Sequence, residues 1–127
     1  MRVLKSALII LALGMATLVP AFAQSPTPVG KWHDSYGTSF HIALCEDGTS
    51  LCIVLDDIGG DMRTASNLKY VNTQVLQAAP RADNEWKGHA VFAGGAVTAT
   101  IKLVSADQIE ATGCITILCS TLPFTRY

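Results

Sequence analysis

Four cysteines are the residues in this 127-residue chain whose type and spacing invite chemistry first, and they fall in two pairs, Cys45 with Cys52 and Cys114 with Cys119. Six and four residues intervene within the pairs, so neither makes the two-residue knuckle of a zinc ribbon nor the C-x-x-C of a redox dithiol. Disulfides are the remaining chemistry, and they require an oxidising compartment. The three histidines, His33, His41 and His89, are far apart in sequence and form no ligand pair on a helix, so no metal is expected. Asp56, Asp57 and Asp61 beside Gly59-Gly60 miss the spacing of a calcium loop and read as a solvated turn. No G-x-S-x-G elbow or acid-base carboxylate pair stands out, and the reading is of a non-enzymatic protein without a cofactor.

The N-terminus agrees with the cysteines. Arg2 and Lys5 precede an apolar run from Ala7 to Val19, then Pro20 and the small-x-small triplet Ala21-Phe22-Ala23. This is the pattern of a secretory signal peptide over residues 1–23, cleaved after Ala23. The run falls short of the ~20 residues of a membrane span, and nothing later in the chain reaches that length. The expected location is the periplasm or the exterior. Removal of the leader leaves seven basic against ten acidic residues, a formal charge of −3. The cations are scattered singly and offer no stripe for phosphates, which excludes nucleic acid and an anionic membrane surface as expected partners.

Pairing the cysteines is a task for strands. Residues 24–28, "QSPTP", read as an extended lead-in to one domain over 29–127. In "TSFHIAL", Phe40, Ile42 and Leu44 alternate with Ser39, His41 and Ala43, the period of a half-buried strand. "LCIVL" follows, and then a loop from Asp56 to Asn67. Residues 68–79 fit a helical stripe or a strand, and the all-β surroundings favour the strand. After a second loop, Ala79 to Glu85, come "EWKGHAVF" and "AVTATIKLV", with Val97, Ala99, Ile101 and Leu103 on one face. "QIEATGC" and a last strand from about Leu118 to Arg126 complete the set, with Pro123 demanding an edge or a bulge. Short strands joined by tight turns predict an all-β, antiparallel up-and-down barrel with little helix.

"VGKW" just before the first strand, "ALCEDGTSLC" at its end, the "GC" and "LC" around the last turn, and the terminal "FTRY" together resemble the secreted bacterial proteins grouped as domain of unknown function 2147. The G-x-W with a late arginine is also similar to the sparse signature of the calycin superfamily, which includes the lipocalins. The resemblance implies a small calycin-like barrel closed by Gly30, Trp32 and Arg126, and implies no activity.

A Gly48-Thr49 turn of type II′ would set Cys45 opposite Cys52 at a separation that suits a disulfide. An Asp47-Gly48 turn would instead leave Cys52 diagonal to Cys45. A Cys114–Cys119 bond requires "ITIL" to bend, which β-branched residues resist, so a cross-link such as Cys45 to Cys119 stays open. Antiparallel pairing of first and last strands would gather all four cysteines at one rim, with Trp32 and Arg126 stacked at the other. Two functions follow as expectations. In one, the apolar inner face of Phe40, Ile42, Leu44, Ile53, Val97, Ala99, Ile101 and Leu103 holds a small apolar ligand. In the other, a packed barrel presents the loops 56–67 and 79–85 to an envelope protein.

Overall fold

The computed structural model describes Gly14, residues 26–92 and residues 95–127. The leader read in residues 1–23 thus lies, Gly14 apart, outside the described residues. Among the described residues eight strands follow one another: β1 (Gly30–His33), β2 (Ser39–Leu44), β3 (Leu51–Asp57), β4 (Gln74–Ala82), β5 (Glu85–Phe92), β6 (Gly95–Ser105), β7 (Gln108–Ile115) and β8 (Leu118–Arg126). Each pairs antiparallel with its neighbour in sequence, and β1 closes on β8, making an up-and-down barrel. The one α-helix among the described residues is a single turn, α1 (Ala65–Leu68), whose first turn is capped by the Thr64 hydroxyl accepting from the Asn67 N–H.

Period-2 patterning decides which face of each strand turns inward. Leu51, Ile53 and Leu55 of β3 are buried while Cys52, Val54 and Asp56 are less so. The core gathers Trp32, Phe40, Ile42, Leu51, Ile53, Leu76, Ala78, Ile101, Leu103, Ile109 and Phe124. Burying each large apolar side chain stabilises the fold by about 1.5 to 3 kcal/mol, which a small barrel needs. Register shifts at Ser39/Phe40, Ile53/Val54, Pro80/Ala82 and Leu103/Ser105 mark bulges that bend the strands around this core. Gly88 is required by the same curvature, because a Cβ there would collide with the Gln77 carbonyl of β4.

The antiparallel order defines two ends. One carries the start of β1 and the β2–β3, β4–β5 and β6–β7 turns. The other carries the β1–β2 turn, residues 58–73 and the β7–β8 turn.

The fold departs from several of the expectations drawn from the sequence. Trp32 does not precede the first strand; it lies within β1, opposite Phe40. In 68–79 strand pairing begins only at Gln74, since residues 69–73 turn through Asn72 at φ +65°. Residues 79–85 are no loop, because β4 and β5 run on to a tight turn at Asp83-Asn84. That turn sits at the opposite end from residues 56–67, so the two segments form no common surface. Leu44 is 51% exposed rather than inward-packed, because β2 outruns β1 there and Leu44 has a strand neighbour on one side only.

Candidate functional site

Both disulfides are local, Cys45–Cys52 and Cys114–Cys119, and no cysteine is free. This is the state of a protein outside the reducing cytoplasm. The pairs do not share a rim. Because β1 separates β2 from β8, β2 and β8 run parallel, which puts Cys45–Cys52 at one end and Cys114–Cys119 at the other.

The first hairpin also departs from the type II′ expectation. The Cys45 N–H donates to the Ser50 carbonyl at 2.8 Å, Ala43 stands opposite Cys52, and the disulfide runs along the diagonal with Cα atoms 5.2 Å apart. Asp47 selects this four-residue loop: its carboxylate accepts from the N–H groups of Thr49 and Ser50 and from the Ser50 hydroxyl, and Gly48 turns the chain at φ +73°. These hydrogen bonds, the Ser50 hydroxyl first, lower the Asp47 pKa. In the second hairpin "ITIL" does bend. Ile115 pairs with Leu118 across a two-residue turn in which Thr116 takes φ +55°, a left-handed conformation a β-branched residue adopts only under strain. The disulfide immediately behind it, between directly paired residues, holds the turn.

At the end that carries Cys45–Cys52 the barrel is plugged. Trp32 is fully buried, and its indole N–H donates to the Pro28 carbonyl at 2.8 Å. The Arg126 guanidinium lies 4.3 Å from the indole centroid and donates to the carbonyls of Ala106, Val29 and Thr27 at 2.9, 2.7 and 2.6 Å. Gly30, at φ +141°, leaves room for that guanidinium, because a Cβ there would run into its Nη1. The arrangement is a lid, and it stands at the same end as one disulfide rather than away from all four cysteines.

Of the eight residues read as ligand-facing, Phe40, Ile42, Ile53, Ile101 and Leu103 are consumed in core packing, Val97 and Ala99 are half-buried, and Leu44 is exposed. The remaining candidates disperse. His41 Nδ1 is hydrogen-bonded to the Asp56 carboxylate at 2.7 Å on the barrel wall, His33 meets the Tyr127 ring edge-on, and His89 stands on β5 opposite Gln77 and Thr98. Asp57 engages Arg63 and Asp56 engages His41, while Asp61 lines a groove described below. Among the described residues, no three His, Cys, Asp or Glu side chains gather for a metal, and no helix is long and apolar enough to cross a membrane.

The other end is open. β1 stops at His33, opposite Thr125, while β8 begins seven residues earlier at Leu118. Between that overhang and the loops lies a groove of about 290 Å³, walled by Asp34, Tyr36, Thr38, residues 59–62 and Leu122. Its loops are braced. The Asp34 carboxylate accepts from the N–H groups of Tyr36 and Thr38, and the Thr38 hydroxyl accepts from the Gly59 N–H. A Cβ on Gly59 would strike the Tyr36 carbonyl, so glycine lets the two loops touch. Arg63 ties the Asp57 carboxylate to the Ile58 carbonyl, and the Ile58 N–H and this guanidinium together lower the Asp57 pKa. At this end of the barrel apolar side chains face water: Ile117 is 93% exposed, Leu118 75%, Tyr36 65%, Ile115 59% and Met62 46%.

Sequence reasoning passed over Asp34, Tyr36, Met62, Ile117 and Leu122. The uncharged run from Ala111 to Thr125 was the available signal, because solvated strands usually carry charge. No protein-family model, curated protein or solved structure matches the chain.

Proposed function

We propose that the protein is an interaction module of the cell envelope, a packed barrel that binds a protein partner at its open end. One observation carries the reading: a patch of Ile115, Ile117, Leu118 and Leu122 faces solvent beside the groove, on a hairpin stapled by its own disulfide, while the plugged end and core are filled. Exposed apolar side chains gathered on one surface mark contact sites, and a rigid hairpin loses little entropy on binding. The sequence resemblance to secreted proteins without assigned activity is compatible with such a role, and the N-terminal pattern supplies the route out of the cytoplasm.

A photo-crosslinking residue in place of Ile117 tests this in intact cells. A discrete adduct that is missing when the same residue replaces Lys87 on the barrel wall supports the reading. Equal labelling at both positions, or none at either under envelope stress, removes it. A second reading, a small apolar ligand, is favoured by the Tyr36, Met62 and Leu122 side chains in the groove. Native mass spectrometry of protein taken from its own envelope distinguishes it by a mass above that of the oxidised chain.

A further inference from the structure

From the half of β8 that has no strand on its β1 side among the described residues we infer that, if the open end is the partner site, the partner enters as an extended segment that adds a strand to Cys119–Thr121 and alternates apolar with basic side chains. The backbone geometry comes first. Paired residues that exchange no hydrogen bonds lie closer, at ~4.5 Å between Cα atoms, than hydrogen-bonded pairs. Cys114 and Cys119 are 4.1 Å apart, so the Cys119 peptide groups point away from β7. The alternation persists along the strand: the Arg126 N–H donates toward the β7 side, to the Asp107 carbonyl, and the Tyr127 N–H toward β1, to the Lys31 carbonyl. Odd-numbered residues of β8 therefore aim at the β1 side. Thr125 finds His33 there, and Pro123 has no N–H to offer. Cys119 and Thr121 lie beyond the end of β1, and residues 118–123 are all exposed.

This free edge borders the groove, which sets the chemistry of what can lie along it. Leu122, Tyr36 and Met62 supply apolar contact. Asp34 and Asp61 supply negative charge, and neither forms an ion pair among the described residues. The cation nearest Asp61 in sequence, Arg63, is already held by Asp57 and the Ile58 carbonyl. A segment whose backbone pairs with Cys119 and Thr121 would lay the apolar side chains of one face against Leu122, and the long, flexible lysine or arginine side chains of its other face would reach back to the acidic wall. Pro123 stops the added strand from running on toward β1.

The test uses the oxidised, isotopically labelled protein and the peptide acetyl-Lys-Val-Lys-Val-Lys-amide, followed by amide NMR. Saturable shifts centred on Cys119, Thr121 and Leu122 are expected. Thr121→Pro removes one outward donor at a site equivalent to Pro123 and should weaken binding about fivefold. Asp61→Asn should weaken it about two- to fivefold, and less so in high salt. Should Thr121→Pro fail to fold, the same peptide N-methylated at its backbone probes the wild-type edge and should bind more weakly. Equal binding of the glutamate analogue, or indifference to both Thr121→Pro and N-methylation, would overturn strand addition. So would a concentration-dependent dimer abolished by Thr121→Pro, which would make a second copy the occupant. Crosslinking at Ile117 that survives any of these outcomes would leave the interaction reading standing without this mode.

Discussion

Replacing Arg126 by lysine keeps the positive charge and discards the planar fork, which isolates what the lid at the plugged end depends on. The guanidinium makes three hydrogen bonds to carbonyls, on the lead-in at Thr27, on Val29 and on the β6–β7 turn at Ala106, and it covers the Trp32 ring. An ammonium can keep about one of these bonds. Each lost bond at this partly exposed site costs about 0.5 to 1 kcal/mol, and the stack about 0.5 to 1 kcal/mol more. Arg126→Lys should therefore destabilise by about 1.5 to 3 kcal/mol, and Arg126→Ala by about 2 to 4. For a domain of about 100 residues this lowers Tm by about 6 to 20 °C. Thermal and urea denaturation of the oxidised protein reads both variants. Trp32→Phe in a double-mutant cycle with Arg126→Lys should show a coupling of about 0.5 to 1 kcal/mol. Gly30→Ala supplies an independent check, since its Cβ conflicts with the guanidinium itself and should cost less once Arg126 is alanine. An unchanged midpoint for Arg126→Lys together with zero coupling would refute the lid.

The two disulfides should differ in consequence despite similar loop lengths. Each removal costs about 2 to 2.5 kcal/mol by loop entropy, but loss of Cys114–Cys119 should also free amide exchange in residues 116–121 while leaving Ile53 and Ile101 protected. Gly88→Ala should cost more than about 3 kcal/mol or prevent folding, because its Cβ meets a β4 carbonyl, and circular dichroism with urea titration measures it. Asp47 and Asp57 have folded pKa values below their unfolded ones, so their contribution is present above the ordinary carboxylate range and fades as pH falls through the folded values. The urea midpoint should drop below about pH 4, and Asp47→Asn should flatten that dependence.

Strand identity was legible in the sequence because it is a local property. Alternation in Phe40-Ile42 and in Val97 to Leu103 states which face each strand buries, and hairpin spacing along most of the chain allows little but a meander. The cysteines declared an oxidising compartment for the same reason, since spacing alone rules out the knuckle and the dithiol. What lay beyond the sequence were quantities set between strands. Whether β1 counted as a strand decided whether β2 lies beside β8, and hence whether the disulfides share an end. The diagonal Cys45–Cys52 bond turned on which N–H groups the Asp47 carboxylate captured. The candidate site was hidden for a stronger reason. It exists because β8 is longer than the strand it closes against, leaving the β1-side backbone groups of Cys119 and Thr121 without a strand partner among the described residues. A difference in length between partners from opposite termini is a property of the closed barrel, and no local pattern in either segment encodes it.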